Sequence, residues 1–385
     1  TMPNFSGKWN LDGQLRGIKQ GTWTGITQNQ LFVVGRNNQG QLGQIDVVDR
    51  SSPVQVGTLG NWSIGSGGSF KSHALKTDGT LWSWGQGSGG KLGNNAAVSA
   101  SSPIQIGALT NWSQLSGRQE HAAAITTNGE LYVWGSNANG RLGLNDVAYR
   151  SSPTQVGSLS SWAKVSNGTY NTAAITTGGK LYVWGRNNRG QIGDNTVVDR
   201  SSPVQIGALT NWAEVSVFGQ NCAAIKTDGT IWTWGFNNSG QIGKNYENIS
   251  KSSPVQVGAL TNWSQLSTGD NFISAVKTDG TLWIWGNSAQ GRLGDGTTVG
   301  KSSPVQIGTD TNWLQVELDI QNGGAVTTTG ELYVWGQAEN GQLGQNEGDI
   351  DKSSPVQVGS ETTWSNVAWG AFHLLAVKQN RTGMS

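Results

Sequence analysis

The side chains that most often do chemistry are few and scattered in this sequence. Histidine occurs three times, at His73, His121 and His373, and cysteine once, at Cys222. No two of these are spaced as zinc ligands. The loop carboxylates Asp46, Asp194, Asp295, Asp349 and Asp351 form no calcium-binding loop, so no metal is expected. No Ser-His-Asp order suggests itself, and Cys222 stands in an apolar run (CAAI), where a thiol is normally inert. The glycine-rich run 37–43 (NNQGQLG) lacks the Lys-Ser/Thr pair of a phosphate cradle, and no helix begins there. The expectation is a non-enzyme with no cofactor and no catalytic residue.

Two other sets of residues repeat at a fixed spacing and suit binding better. The first is basic: Arg50, Arg150, Arg200, Lys251, Lys301 and Lys352, with Ala100 breaking the series. Six cations at equivalent places could ring an anion. Alternatively each pairs with a nearby acid, and Asp49, Asp199 and Asp351 immediately precede three of them; pairing is the favoured reading. The second set is Phe70, Arg118, Tyr170, Phe218, Phe272 and Phe372, at short turns. Aromatics and arginine exposed in turns are typical interface anchors. The competing reading, which is favoured, tucks these rings under neighbouring long loops.

A strict internal repeat must position both sets. Ser-Pro recurs with proline at Pro53, Pro103, Pro153, Pro203, Pro254, Pro304 and Pro355. A tryptophan recurs at Trp62, Trp112, Trp162, Trp212, Trp263, Trp313 and Trp364. Trp-Gly recurs at Trp84, Trp134, Trp184, Trp234, Trp285 and Trp335, with Val34 in the first copy. One unit reads as strand A at 112–116, a small apolar strand B at 121–126, an Asn-Gly hairpin, an aromatic strand C at 131–135, a long polar loop, and strand D at 153–157. No stretch carries helical periodicity. Seven four-stranded units of about fifty residues make an all-β, seven-bladed propeller. The 57 glycines and 19 tryptophans fit tight turns and inter-blade packing. The chain supplies a lone strand C at 31–34 and, after the seventh Ser-Pro, strands at 364–368 and 373–377. Pairing 31–34 with 373–377 closes the ring and leaves no open edge. The expected division is a leader at 1–25, the propeller at 26–380 and a tail at 381–385.

The run 134–143 (WGSNANGRLG), repeated as WGRNNRGQIG at 184–193 and WGQAENGQLG at 335–344, resembles the signature loop of the regulator-of-chromosome-condensation family. The resemblance covers about residues 26–378 and implies the seven-bladed propeller. The leader, with Gly7, Trp9, Leu11, Gly21 and Trp23, resembles a short segment of tailed-bacteriophage virion proteins, which implies attachment through Trp9, Leu11 and Trp23; the alternative is a cap on one blade.

Charge narrows the partners. Lys+Arg 25 against Asp+Glu 24 leaves +1, which disfavours nucleic acid, and no apolar run is long enough to span a membrane as a helix. In a four-stranded meander the A–B and C–D connections share one face. These are the connections that differ from copy to copy, whereas the B–C turns and D–A links barely change. The expectation is a structural or binding module on a virion, assembled in host cytoplasm. Its variable face would meet other subunits, itself, or a host glycan or protein. The alternative is a soluble cytoplasmic regulator or inhibitor, like the nucleotide-exchange or β-lactamase-inhibitor propellers the family resemblance implies. The Gly-Trp-Arg-His-Thr motifs of the family's ultraviolet-B photoreceptor are absent.

Overall fold

The computed structural model describes residues 27–58, 60–245, 248–346 and 350–381. Trp9, Leu11, Trp23, Asp349 and the tail beyond 381 lie outside the described residues. The chain folds into seven four-stranded antiparallel sheets arranged as a ring. Blades I to VI each run A-B-C-D in sequence, with strands A at Trp62–Gly67, Trp112–Arg118, Trp162–Asn167, Trp212–Phe218, Trp263–Gly269 and Trp313–Leu318. Blade VII is built from both ends of the chain. Its strands A and B are Trp364–Trp369 and His373–Arg381, and its strands C and D are Thr27–Gly35 and Arg50–Gln55. Leu31 pairs with Val377 and Val34 with Leu374, so the strand at 31–34 lies beside 373–377 as the ring closure requires.

Strand A is innermost. The A strands of all seven blades line an axial channel of about 390 Å3. Strand B is crushed between its sheet neighbours and the next blade, which is why it is small: Ala122, Ala123 and Ala124 are fully buried. Strand D is the outer edge and is half-exposed. It starts earlier than its Pro-x-Gln run suggests, at Arg150 in blade II, with a register shift between Arg150 and Thr154. Proline lacks an N–H, and an edge strand with an irregular ladder is where its absence costs least.

The signature loop joins blades. Gly40, at φ +76°, leaves no room for a Cβ, which would sit 2.6 Å from the Cα of Ser101 in the next blade's strand D. Gly140 meets Ser201 in the same way. Within the loop, Asn37 Oδ1 accepts the Leu42 N–H at 2.8 Å, and Leu42 is buried. The Trp84 ring lies against Gly43 and its Nε1 donates to the Gln41 carbonyl at 2.8 Å. The Trp-Gly tryptophans are fully buried in these inter-blade layers. On the axial side, Ser66, Ser116, Ser166, Ser216 and Ser267 each accept the N–H of a residue in the following blade's strand A, at 2.7–3.1 Å.

Candidate functional site

The two faces of the disc are built differently. On one, Thr77 donates its N–H to the Asn61 carbonyl, and Gly79 of the B–C turn rests on Thr110 of the next D–A link. On the other, each C–D loop starts by bonding an A–B turn: Arg36 N–H to the Phe372 carbonyl at 2.9 Å, Gln86 to Phe70 at 2.8 Å, Arg186 to Tyr170 at 3.1 Å. The connections that vary within the chain thus meet on a common surface.

The turn residues take different places there. Phe218 and Phe272 are buried, whereas Phe70, Tyr170 and Phe372 are half-buried at the surface. Phe70 and Phe372, from adjacent blades, lie 5.6 Å apart. Every one of these rings carries an arginine. Arg36 lies 5.5 Å from the Phe70 centroid and 5.2 Å from that of Phe372. Arg141 and Arg186 lie over Tyr170, Arg118 over Phe218 and Arg292 over Phe272. Arg189 adds a contact of 5.0 Å with Phe236. Sequence reasoning named Arg118 but missed Arg36, Arg141, Arg186, Arg189 and Arg292, because these lie in C–D loops, away along the chain from the rings they cover. Their position one, four or six residues after Trp-Gly (or Val-Gly) was the available signal.

Arg118 does not anchor outward. It reaches across the axis to blade VI, donating to Glu317 Oε2 at 2.9 Å and to the Leu318 carbonyl at 2.5 Å. Glu317 occupies the place that serine holds in the five preceding blades, so one departure from the repeat creates the cross-axis pair. Beside it, Asp319 is buried, 3.9 Å from Arg118, and one carboxylate oxygen has no partner. Burial pushes the Asp319 pKa up to about 7 against the pull of Arg118, and it raises that of Glu317 as well. Around the channel Gln114, Gln265 and Gln315 donate to carbonyls of the following blade, so the lining amides also stitch the ring.

The basic series sits at the first residue of strand D. Arg50, Arg150, Arg200 and Lys301 pair with Asp46, Asp146, Asp194 and Asp295 of their own loops at 2.6–3.0 Å. The partner is therefore four to six residues back, not the preceding residue. Asp49, Asp199 and Asp351 instead accept backbone N–H groups of Asn37, Asn187 and Ala338. Lys251 and Lys352 also have partners. Ahead of this series runs a set of exposed aliphatics: Val48, Val98, Val198, Ile249, Val299 and Ile350, each 57–69% exposed, with Tyr149 and Val147 flanking Ala148 in blade II. Sequence reasoning passed over them, although their 50-residue spacing was visible.

The histidines are structural in their bonding. His373 Nε2 lies 2.8 Å from Ser72 Oγ, and His121 Nε2 lies 2.9 Å from Thr172 Oγ1; both hydroxyls donate to loop carbonyls. His73 Nε2 lies 3.0 Å from the fully buried Lys71 Nζ. Burial brings the Lys71 pKa down to about 7 and that of His373 to about 3, and it pushes the Cys222 thiol up. Among the described residues no group of three His, Cys, Asp or Glu side chains comes together as a metal site.

Comparison with known proteins fits this architecture. The "Regulator of chromosome condensation (RCC1) repeat" family model matches residues 78–125, 128–175, 178–225, 228–276, 279–318 and 329–377, and a second model of the same repeat matches 162–191. The solved structure of human WBSCR16 is 20% identical, with 91% of this chain and 99% of that chain covered at a TM-score of 0.81. Prp20p from Saccharomyces cerevisiae, described with its binding to Gsp1p and histones, is 18% identical over 94% and 93% at 0.79. Yeast RCC1 (Prp20) bound to Kap60 gives 17% identity, 100% and 95% coverage, and 0.80. No curated protein matches the chain. The matched segments span well over half the sequence, and the chain belongs to the regulator of chromosome condensation (RCC1) repeat family.

Proposed function

We propose that this propeller is a non-enzymatic binding module whose partner is a protein, met by the face of A–B turns and C–D loops. The carrying observation is the gathering on that face of copy-to-copy variation, arginine-covered aromatics and exposed aliphatics, over a scaffold held constant elsewhere. The finer reading is a virion surface or tail component, assembled in host cytoplasm, with Trp9, Leu11 and Trp23 attaching it to another subunit. Strand C of blade VII opens at Thr27, on the B–C side of the disc, opposite the variable face. That arrangement suits attachment on one side and recognition on the other, of a neighbouring subunit or a host surface. A soluble regulator remains the second reading, supported by the binding of Gsp1p, histones and Kap60 named for Prp20.

Cysteine-directed polyethylene glycol tests the face. Cys222 is buried and stays silent, so Asn188→Cys labels the variable face and Asn128→Cys the opposite one. Capture of the partner from source particles or host extract should fail only with label at 188. Equal blocking at both positions would overturn the assignment. Removing residues 1–25 should release the chain from the particle if the virion reading holds.

A further inference from the structure

Among the described residues the arginine side chains fall into two groups. Arg50, Arg118, Arg150 and Arg200 pair with carboxylates, and Arg141 and Arg292 donate to loop carbonyls. Arg36, Arg186 and Arg189 make no side-chain hydrogen bond or ion pair among the described residues. Instead each lies against an aromatic ring: Arg36 between Phe70 and Phe372, Arg186 4.9 Å from Tyr170, and Arg189 5.0 Å from Phe236. All three belong to C–D loops and open onto the variable face.

A guanidinium against a ring is held in place without losing the N–H donors along its edge. That edge is a planar fork matched to a carboxylate, and a charge-assisted bidentate pair there is about twice as strong as a neutral hydrogen bond. A pre-positioned fork costs little further side-chain entropy on binding. Arg50, Arg150, Arg200 and Lys301 of the neighbouring D-strand series are already matched by carboxylates of their own loops, whereas these three arginines keep their forks open on the face. The exposed aliphatics nearby, such as Val48 and Val198, offer apolar contact between acidic side chains.

We infer that Arg36 on blade VII and the Arg186–Arg189 pair on blade III are acidic-peptide readers at two places on the variable face, each taking Asp and Glu side chains of a protein partner on aromatic-backed guanidinium groups. This rests on the reading of the variable face as the partner's, and it adds the partner's chemistry.

The test uses the full chain and a fluorescent hexaglutamate peptide, with hexaglutamine as control and inorganic phosphate and single-stranded DNA as competitors, read by anisotropy. Saturable binding of hexaglutamate alone is expected, weakening with salt. The triple variant Arg36→Gln, Arg186→Gln, Arg189→Gln should bind about ten-fold or more weakly, with an unchanged melting temperature. The matching lysine variants keep the charge but lose the planar fork, and should recover only part of that loss. Equal binding of hexaglutamine, an unaffected triple variant, or DNA displacing the peptide at lower concentration than free hexaglutamate would each overturn the inference. Such a failure with labelling at Asn188→Cys still blocking the partner would remove the acidic specificity and leave the face standing.

Discussion

Replacing Asp319 by asparagine isolates the electrostatics of the buried carboxylate beside the cross-axis Arg118–Glu317 pair. Asp319 is 2% exposed, its nearest cation is 3.9 Å away, and one oxygen is unpaired. Its carboxyl pKa rises from 3.8 to about 7 because burial penalises the charged form more than Arg118 repays. An acid whose folded pKa is raised binds more protons when folded than when unfolded between those two values. Stability is therefore fully present below pH 4, falls as pH rises, and is lost through pH 7. Three units at about 1.4 kcal/mol each give a loss of about 4 kcal/mol. Asparagine has the same shape and does not titrate. Urea unfolding of both proteins from pH 4 to pH 9 should show near-equal stability at the acid end and an advantage for Asp319→Asn that grows to about 4 kcal/mol above pH 7. An offset that does not change with pH would refute the reasoning. A wild type that gains on the variant as pH rises would show that pairing with Arg118 outweighs desolvation.

Three other outcomes follow from the same structure. Lys71 is fully buried with its pKa lowered to about 7, so its charged form burdens the fold below pH 7 and the burden lifts as pH rises toward 10.5. Lys71→Met should therefore be more stable than wild type by about 5 kcal/mol at pH 6, with the gap closing near pH 10 in denaturant titrations. Gly140→Ala should cost about 2–4 kcal/mol through a positive φ and a Cβ 2.4 Å from Ser201 Cα. Gly157→Ala, with a similar φ and open space, should cost only about 1 kcal/mol by calorimetry. Deleting 364–385 removes strands A and B of blade VII and should abolish cooperative unfolding; a truncated chain with an unchanged melting curve would contradict the ring closure.

The architecture was legible because a repeat multiplies weak signals. One alternating segment is ambiguous, but seven copies of Ser-Pro, Trp and Trp-Gly fix a period, and the unmatched strands at the two ends fix how the ring closes. The same logic sorted the connections by face. What escaped was contact between distant positions. Nothing in the sequence places Arg118 beside Glu317, two hundred residues away, because the axis brings together blades that are not neighbours in the chain. Nor does it place Arg36 between Phe70 and Phe372, since that sandwich spans the seam where the two ends meet. Local spacing did suggest an acid for Arg50, but the nearest one, Asp49, is held by the Asn37 N–H, and the loop's curl delivers Asp46 instead.

The seam in blade VII has a consequence for biosynthesis. Strand Thr27–Gly35 emerges from the ribosome long before its partner strand His373–Arg381 and must wait for it. Until then the nascent chain is an open arc with two sticky rims, however well its middle sectors have folded. Interrupted translation products therefore expose those rims to chaperones and proteases, and closure acts as a built-in proofreading step on chain completion through that strand.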